Sequence, residues 1–307
     1  MPPTLGQLNA QQCRTFVPTL HTTPYPAIDP SLVNLPSPYV VCILGGHGAA
    51  GGGLARAYAR AGASGIILAA RTVSALEETA SEVRSINPQT KVVIVQCNIA
   101  SDDDVKSLVG TANSEFEGRL DAVVANAGYS GPLIADVVRE KPSDIQNAFD
   151  VNTVGPFLVA HYLLPLLLAT DSGANSFITI NSMGAPTVAG PSGHASYCVS
   201  KAAQARLIEM INEQYSGQGL FSATVHPGGM RSGFVKDLPE EILKLLNDSP
   251  DLVGAFCVWL SKPDAPQIRR DILKGRFLSC KWDVSELESR FDEIKEKDLL
   301  KFRIAVE

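Results

Sequence analysis

The stretch from Tyr39 to Arg71, "YVVCILGGHGAAGGGLARAYARAGASGIILAAR", decides the fold. Apolar and β-favouring residues lead into a turn with six glycines within residues 45–53, and an alanine-rich segment with helical spacing follows. A second apolar run, "GIILAA", closes the stretch. This order predicts a strand, a glycine-rich turn, a helix and a second strand, which is the unit that binds a dinucleotide in a doubly wound sheet.

The same alternation continues along most of the chain, with the apolar runs "KVVIVQC", "LDAVVANAG", "NSFITINS", "LFSATVHPGG" and "GRFLSC". Because these runs are continuous, they predict strands that are buried on both faces. The sequence therefore predicts an α/β fold in a single domain over residues 39–307: a doubly wound, Rossmann-type, mostly parallel seven-stranded sheet with helices on both faces. The proline-rich residues 1–38 predict an irregular N-terminal arm.

Composition narrows the class of protein and of partner. A net charge of −6 argues against nucleic acid or an anionic membrane as the main partner. The six cysteines lack metal-ligand spacing, and the N-terminus does not resemble a signal peptide. We therefore expect free thiols, no metal site and a cytoplasmic location. The apolar residues 154–169 are expected to form a buried helix, because a membrane span needs about 20 apolar residues.

The glycine turn fits the dinucleotide fingerprint G-x-G-x-x-G at Gly46, Gly48 and Gly51, between a predicted strand and a predicted helix. Glycines let the backbone approach a pyrophosphate, and the helix N-terminus supplies N–H groups. The alternative is a turn that only permits close packing of helix on strand. His47 is a candidate phosphate contact, with an exposed loop side chain as the alternative.

Arg71 stands where an NAD-dependent enzyme usually has an acidic residue, after the second strand. The planar guanidinium suits a 2′-phosphate in charge and geometry, which favours NADP(H) over NAD(H). The alternative is a solvated cation at the start of a helix.

Tyr197 and Lys201 are four residues apart, so on a helix they share a face. An ordinary phenol has a pKa of about 10, and a neighbouring ammonium lowers it towards the range useful for proton transfer. Such a pair is common by chance, but Ser182 lies 15 residues upstream at a predicted strand end, where its hydroxyl can bind a substrate carbonyl.

The segments "LARAYARAGA" and "YCVSKAA" resemble the short-chain dehydrogenase/reductase family, and the resemblance extends to about residue 280. In the family's T-G-x-x-x-G-x-G register, Gly45 and Gly51 are the first and third glycines. Leu44 replaces the threonine and Ala49 replaces the second glycine.

The resemblance implies a role for each candidate. Tyr197 is the implied proton donor and acceptor, while Lys201 tunes it and holds the nicotinamide ribose. Ser182 orients the carbonyl, and Asn152 in "DVNTVG" anchors a water chain. Further implied cofactor contacts are Gly45, Gly46, Asn98, Asn126 and Ser232, and the resemblance places Pro227 and Gly228 beside the nicotinamide. His194 and His226 flank the site and are expected to be structural.

The family also implies a substrate lid at about 230–250 and a subunit interface on the apolar segment "PFLVAHYLLPLLLA". A homodimer or homotetramer is expected, although burial within one subunit would give the same composition. The extension at about 281–307 resembles fungal members of secondary metabolism, which implies a small ketone or alcohol substrate.

The sequence is compatible with three functions. The first is reversible hydride transfer between NADP(H) and a substrate carbonyl. The second is a non-redox regulatory or scaffold protein that binds a dinucleotide, and the third is an isomerase or dehydratase on the same fold.

Overall fold

A computed structural model describes residues 5–190, 193–233, 240–244 and 246–304. At its centre lies a seven-stranded sheet in the order β3-β2-β1-β4-β5-β6-β7, and every pairing is parallel. The strands are β1 (Val40–Leu44), β2 (Gly65–Ala70), β3 (Lys91–Gln96), β4 (Ala122–Ala125), β5 (Ser176–Ile180), β6 (Phe221–His226) and β7 (Phe277–Ser279). All seven predicted strands are thus confirmed, in a sheet that is parallel throughout.

Helices cover both faces of the sheet, as predicted. They are α1 (Leu5–Arg14), α2 (Gly48–Arg60), α3 (Val73–Ile86), α4 (Asp102–Phe116), α5 (Pro142–Phe149), α6 (Gly155–Ala169), α7 (Ala195–Tyr215), α8 (Glu240–Leu243), α9 (Pro250–Ser261), α10 (Gln267–Leu273), α11 (Val284–Ser289) and α12 (Phe291–Glu296). Side chains of β1 alternate between two cores: Val41 and Ile43 pack with α2, α3 and α9, whereas Cys42 packs with α4, α6 and α7.

The strand order creates a switch point between β1 and β4, from which the sheet grows outward in both directions. In doubly wound sheets, ligands bind outside the carboxyl ends of the strands at such a point. The glycine turn follows β1 and the "ANAG" segment follows β4, so the fold brings these two motifs to the same crevice.

The N-terminal arm departs from the prediction, because residues 5–14 form the helix α1. The prediction used the average proline content of residues 1–38. Residues 4–17, however, contain no proline, and this stretch is long enough for three helical turns. The arm packs against the C-terminal extension: Leu20 bridges Trp282, and the fully buried Trp282 donates from Nε1 to the Arg14 carbonyl. Both chain ends therefore join the core on the α2 and α9 side.

The apolar segment at 154–169 belongs to a longer helical run than the sequence indicates. Helix α5, a π-helical turn at Asp150–Val154 and helix α6 form one run of 28 residues, Pro142–Ala169. By length and composition it is the one helix of the described chain that could cross a membrane, and 44% of its most apolar window is buried inside the fold. Core helices of soluble proteins have the same length and composition.

Candidate active site

The glycine turn after β1 forms a tight cradle. Gly45 has a φ of +78°, and a Cβ there would lie 2.6 Å from the Ala127 nitrogen. A Cβ at Gly51 would overlap the Gly45 carbonyl oxygen. That oxygen also accepts a hydrogen bond of 2.6 Å from Asn126 Nδ2. Gly51 is therefore required by the packing of α2 on the turn, and Gly45 by the close approach of the segment after β4.

The N-terminus of α2 opens beside this turn. His47 is the N-cap residue, but its side chain makes no capping hydrogen bond, and the first turn contains no acidic residue. Free N–H groups and the positive end of a helix dipole suit a pyrophosphate. Ala49, which replaces a family glycine, packs its methyl against the core, so the substitution leaves the cradle intact. These residues fit a bound dinucleotide.

The predicted adenosine side lies at the ends of β2 and β3. Arg71 is exposed, and within the described chain its guanidinium forms no hydrogen bond or ion pair. Asn98 holds its own turn, because its Oδ1 accepts from the Ala100 nitrogen at 3.2 Å and its backbone N–H donates to Asp104. The structure places both residues at the carboxyl edge of the sheet.

Ser182 and Tyr197 meet at the carboxyl end of β5. Their hydroxyl groups are hydrogen-bonded, although the two residues come from different segments: Ser182 follows β5 and Tyr197 lies in the first turn of α7. Gly184 makes this approach possible, since a Cβ there would lie 3.0 Å from Cε1 of Tyr197. The imidazole of His194 stacks on the phenol with 5.4 Å between ring centroids.

Lys201 is almost fully enclosed, with 3% of its surface exposed. Its Nζ donates to the Ile180 carbonyl at 2.8 Å and to Gln204 Oε1 at 3.3 Å. Burial lowers the pKa of Lys201 to about 7. An amine with this pKa exchanges its proton near neutral pH.

The pKa of Tyr197 is not lowered by Lys201, contrary to the prediction from sequence. Burial raises the pKa of Tyr197 to about 12, and the hydrogen bond from Ser182 offsets only part of that rise. Lys201 does not offset this rise, because its amine is bonded to Ile180 and Gln204 and burial disfavours its charged form as well. Helical spacing placed the two residues correctly but gave no information on burial.

Asn152 lies in the π-helical turn between α5 and α6, a distortion that is frequent at functional sites. It is fully buried, and its amide exchanges two hydrogen bonds of 2.8 Å with the backbone of Tyr129. It also donates to Ser200 Oγ at 3.0 Å, one residue before Lys201. Asn152 thus ties the segment after β4 to helix α7.

The segment after β6 carries Pro227, Gly228 and the partly exposed Ser232. The predicted lid at about 230–250 falls partly outside the described residues, at 234–239 and 245. Burial lowers the pKa of His226 to about 3, and its Nδ1 accepts from the Met183 nitrogen at 3.3 Å, which agrees with a structural role. His194 Nε2 lies 2.8 Å from the Ser130 carbonyl oxygen and is also held structurally.

Comparison with known proteins identifies the class to which this site belongs. Residues 39–242 match the model of the short chain dehydrogenase family. The chain belongs to the short-chain dehydrogenase/reductase family. It is therefore an NAD(P)-dependent oxidoreductase, as the sequence resemblance implied.

The similar curated proteins are also dehydrogenases. Short chain dehydrogenase pgmD of Aspergillus terreus is 33% identical over 310 residues, with 98% of each chain covered. Short chain dehydrogenase andI of Emericella variicolor is 30% identical, with 96% of this chain and 98% of that one covered. The expected resemblance to fungal members of the family is confirmed.

Solved structures show the same fold at lower identity. A short chain dehydrogenase from Shigella flexneri, solved with NADP, has a TM-score of 0.69 at 23% identity and covers 81% of this chain and 98% of its own. Levodione reductase has a TM-score of 0.70 at 18% identity and covers 79% of this chain and 96% of its own.

Sequence reasoning missed three residues at the site of this dehydrogenase. Gln204 lies on the same helical face as Lys201, three residues on, so its contact was foreseeable from spacing. Gly184 stands two residues after Ser182, where its closeness was a usable signal. Asp248, which binds the segment after β6, had no local signal because its partners are distant in sequence.

Proposed function

We propose that this dehydrogenase interconverts a carbonyl and a secondary alcohol on a small organic substrate of secondary metabolism, with NADP(H) as cofactor. The observation that carries the proposal is the hydrogen bond between Ser182 and Tyr197 at the carboxyl edge of the sheet. Strand β5 ends at this pair, and strand β1 ends at the glycine cradle. Only β4 lies between these two strands in the sheet, so they are about 10 Å apart. An extended dinucleotide readily spans that distance.

In this proposal a bound nicotinamide supplies or accepts the hydride, and the side chains handle the proton. Ser182 orients the substrate oxygen by a hydrogen bond. Tyr197 donates its hydroxyl proton to that oxygen during reduction and removes it during oxidation. Lys201 returns the proton to Tyr197, because an amine with a pKa of about 7 gives up and regains a proton readily near neutral pH. Asn152 keeps the segment after β4 in register with α7.

The preference for NADP(H) rests on Arg71. Its guanidinium is exposed at the end of β2 and is not engaged by any described residue, so it is available to a 2′-phosphate. His47, partly exposed at the start of α2, is a second candidate contact for a phosphate. The crystal structure of the Shigella relative contained NADP.

An apolar substrate is supported by exposed valines on two loops. Val137 and Val138, which are 72% and 89% exposed, lie in the segment after β4; Val188, which is 70% exposed, lies after β5. Both segments reach the start of α7, since the Ser130 carbonyl binds His194 and Ser182 binds Tyr197. The expected substrate is a ketone or alcohol with an extended apolar surface.

We also propose a cytoplasmic homodimer or homotetramer. Phe157 on α6 and Val199 and Met210 on α7 are about half exposed. Large apolar side chains on neighbouring helices are suited to burial against a second copy. Light scattering of the purified protein tests the oligomeric state.

Replacement of Tyr197 by Phe tests the proposed chemistry. We expect turnover to fall by roughly 10²–10⁴-fold, because the proton donor is lost while the ring remains. Binding of NADP⁺ should be retained. Tyr162→Phe, which removes a hydroxyl bonded to Asp102 on the surface, is the matched control and should leave turnover unchanged.

The assay is a panel of ketones and alcohols followed at the absorbance of reduced nicotinamide. Unchanged turnover in Tyr197→Phe would contradict the proposal. Conversion of substrate without net consumption of cofactor would instead support the isomerase or dehydratase alternative.

A further inference from the structure

The segment after β6 is held by a buried carboxylate that lies outside the family match. Asp248 Oδ2 accepts a hydrogen bond of 2.6 Å from the Gly229 nitrogen, and the Asp248 nitrogen donates to the Gly229 carbonyl at 2.9 Å. Gly228 has a φ of +84°, and a Cβ there would lie 2.8 Å from the same carboxylate oxygen. Residues 228 and 229 therefore fit closely around one carboxylate.

Lys281 pairs with the other oxygen of this carboxylate. It lies just beyond β7 in the C-terminal extension, and its ammonium contacts Asp248 Oδ1. The Asp248 side chain is 3% exposed and the Lys281 side chain is 22% exposed. A carboxylate so enclosed needs a partner, since an unpaired buried charge is strongly destabilising.

The N-terminal arm forms backbone hydrogen bonds to Lys281 and to Ser249, which follows Asp248. The His21 nitrogen donates to the Lys281 carbonyl at 2.7 Å, and the Ser249 nitrogen donates to the Thr22 carbonyl at 2.7 Å. His21 Nε2 also contacts Asp283 Oδ2 at 2.9 Å. Residues 19–22 thus bridge the strand end that carries Lys281 and the turn that carries Asp248.

The arm, the turn at Asp248 and the strand end at Lys281 form a three-part junction that the family match does not account for. The match covers residues 39–242, whereas the arm, Asp248 and Lys281 all lie outside it. Within the junction, only residues 227–229 belong to the segment that the family resemblance places beside the nicotinamide.

We propose that Asp248 and Lys281 are positioning residues that hold Gly228 and Gly229 in the shape required by the nicotinamide half of the cofactor, with arm residues 19–22 completing the hold. The proposal rests on the proposed function and on the family resemblance, which implies that this segment lies beside the nicotinamide. Neither side chain takes part in the chemistry; both act through the backbone of the segment.

Lys281→Met removes the charge and keeps most of the length of the side chain. We expect the affinity for NADP⁺ to fall roughly tenfold or more, because a positioning contact for the nicotinamide half is lost. The affinity for 2′-phospho-ADP-ribose, which lacks the nicotinamide, should remain unchanged. Lys281→Arg should restore NADP⁺ binding, since it keeps the charge.

The matched control is Lys274→Met, which breaks an ion pair with Asp271 at the surface of α10. It should alter neither affinity. An equal loss of both ligands in Lys281→Met, or no loss of either, would overturn the proposal. If Lys281→Met does not fold, Asp248→Asn provides the same comparison, because an amide oxygen can still accept from Gly229.

Hydrogen exchange separates this inference from the proposed function. Exchange at the Gly229 amide should accelerate in Lys281→Met in the absence of any ligand, since its acceptor loses its fixed position. Unchanged exchange would show that Lys281 does not help to fix the backbone at Gly229. Faster exchange with unchanged NADP⁺ affinity would mean that the hold exists but that the segment does not face the nicotinamide.

Discussion

The glycine turn and the three-part junction are built in opposite ways. In the turn, Gly45 and Gly51 are six residues apart, and their fit is visible as a sequence motif. In the junction, residues 19–22, Asp248 and Lys281 meet from segments that are more than thirty residues apart in sequence. A site built from residues that are close in the chain is therefore predictable from the sequence, whereas one assembled from distant segments becomes apparent only in the folded structure.

Gly51→Val should give the largest effect, because the added side chain overlaps the Gly45 carbonyl. We expect NADP⁺ binding to be abolished and stability to fall by about 4 kcal/mol or more. Denaturant unfolding and equilibrium dialysis measure the two quantities. Gly110→Ala on α4, where a Cβ meets nothing within 4 Å, is the control and should stabilise by about 0.5–1 kcal/mol.

Trp282→Ala removes contacts between the C-terminal extension and the N-terminal arm. The indole is fully buried between the arm and the C-terminal extension, so its removal should cost about 3–5 kcal/mol of stability. With both substrates saturating, turnover should stay close to that of the wild type, because the Ser182 and Tyr197 hydroxyl pair is untouched. A lost turnover at retained stability would show that the two regions are not separable.

Lys201→Met tests the burial of this lysine through the pH dependence of stability. The unfolded lysine keeps a pKa near 10.5, whereas burial lowers the folded value to about 7. Between these pH values the unfolded chain binds the extra proton, so this lysine makes wild-type stability rise with pH. The difference between wild type and variant should shift by about 4 kcal/mol in favour of the wild type from pH 7 to pH 10.5.

Urea unfolding across this range measures the effect. Lys106→Met, which removes an exposed lysine of α4, is the control and should show a flat difference. A flat difference in Lys201→Met as well would mean that the Lys201 amine is solvated in the folded protein.

Arg71→Ala should give the smallest effect. The KM for NADPH should rise about tenfold, equivalent to about 1.4 kcal/mol, because one charge-assisted contact is lost; the KM for NADH should hardly change. Initial rates with each cofactor measure this preference. Arg84→Ala, an exposed arginine on α3, is the control. Equal changes for both cofactors would place Arg71 away from the 2′-phosphate.

Much of the candidate site was predictable because the same local pattern, an apolar run followed by a helical segment, recurs along the chain. Each apolar run became a strand, and parallel strands bring all their carboxyl ends to one edge, so the predicted residues after β1, β2 and β5 meet there. The helix of the arm was missed because a composition averaged over 38 residues hides a short proline-free stretch. The pKa of Tyr197 was predicted in the wrong direction, because helical spacing reports distance along a face and not desolvation.

The sequence by itself determined the strand and helix order, the glycine turn and the Tyr197–Lys201 face, since each depends on residues close together in the chain. Tertiary structure alone decided that Lys201 bonds to Ile180 and Gln204, that burial shifts the pKa values of Tyr197 and Lys201, and that Asp248 meets Lys281. The physical reason is that burial and long-range charge pairing depend on what packs around a group, and for this chain the packing comes from segments far away in sequence.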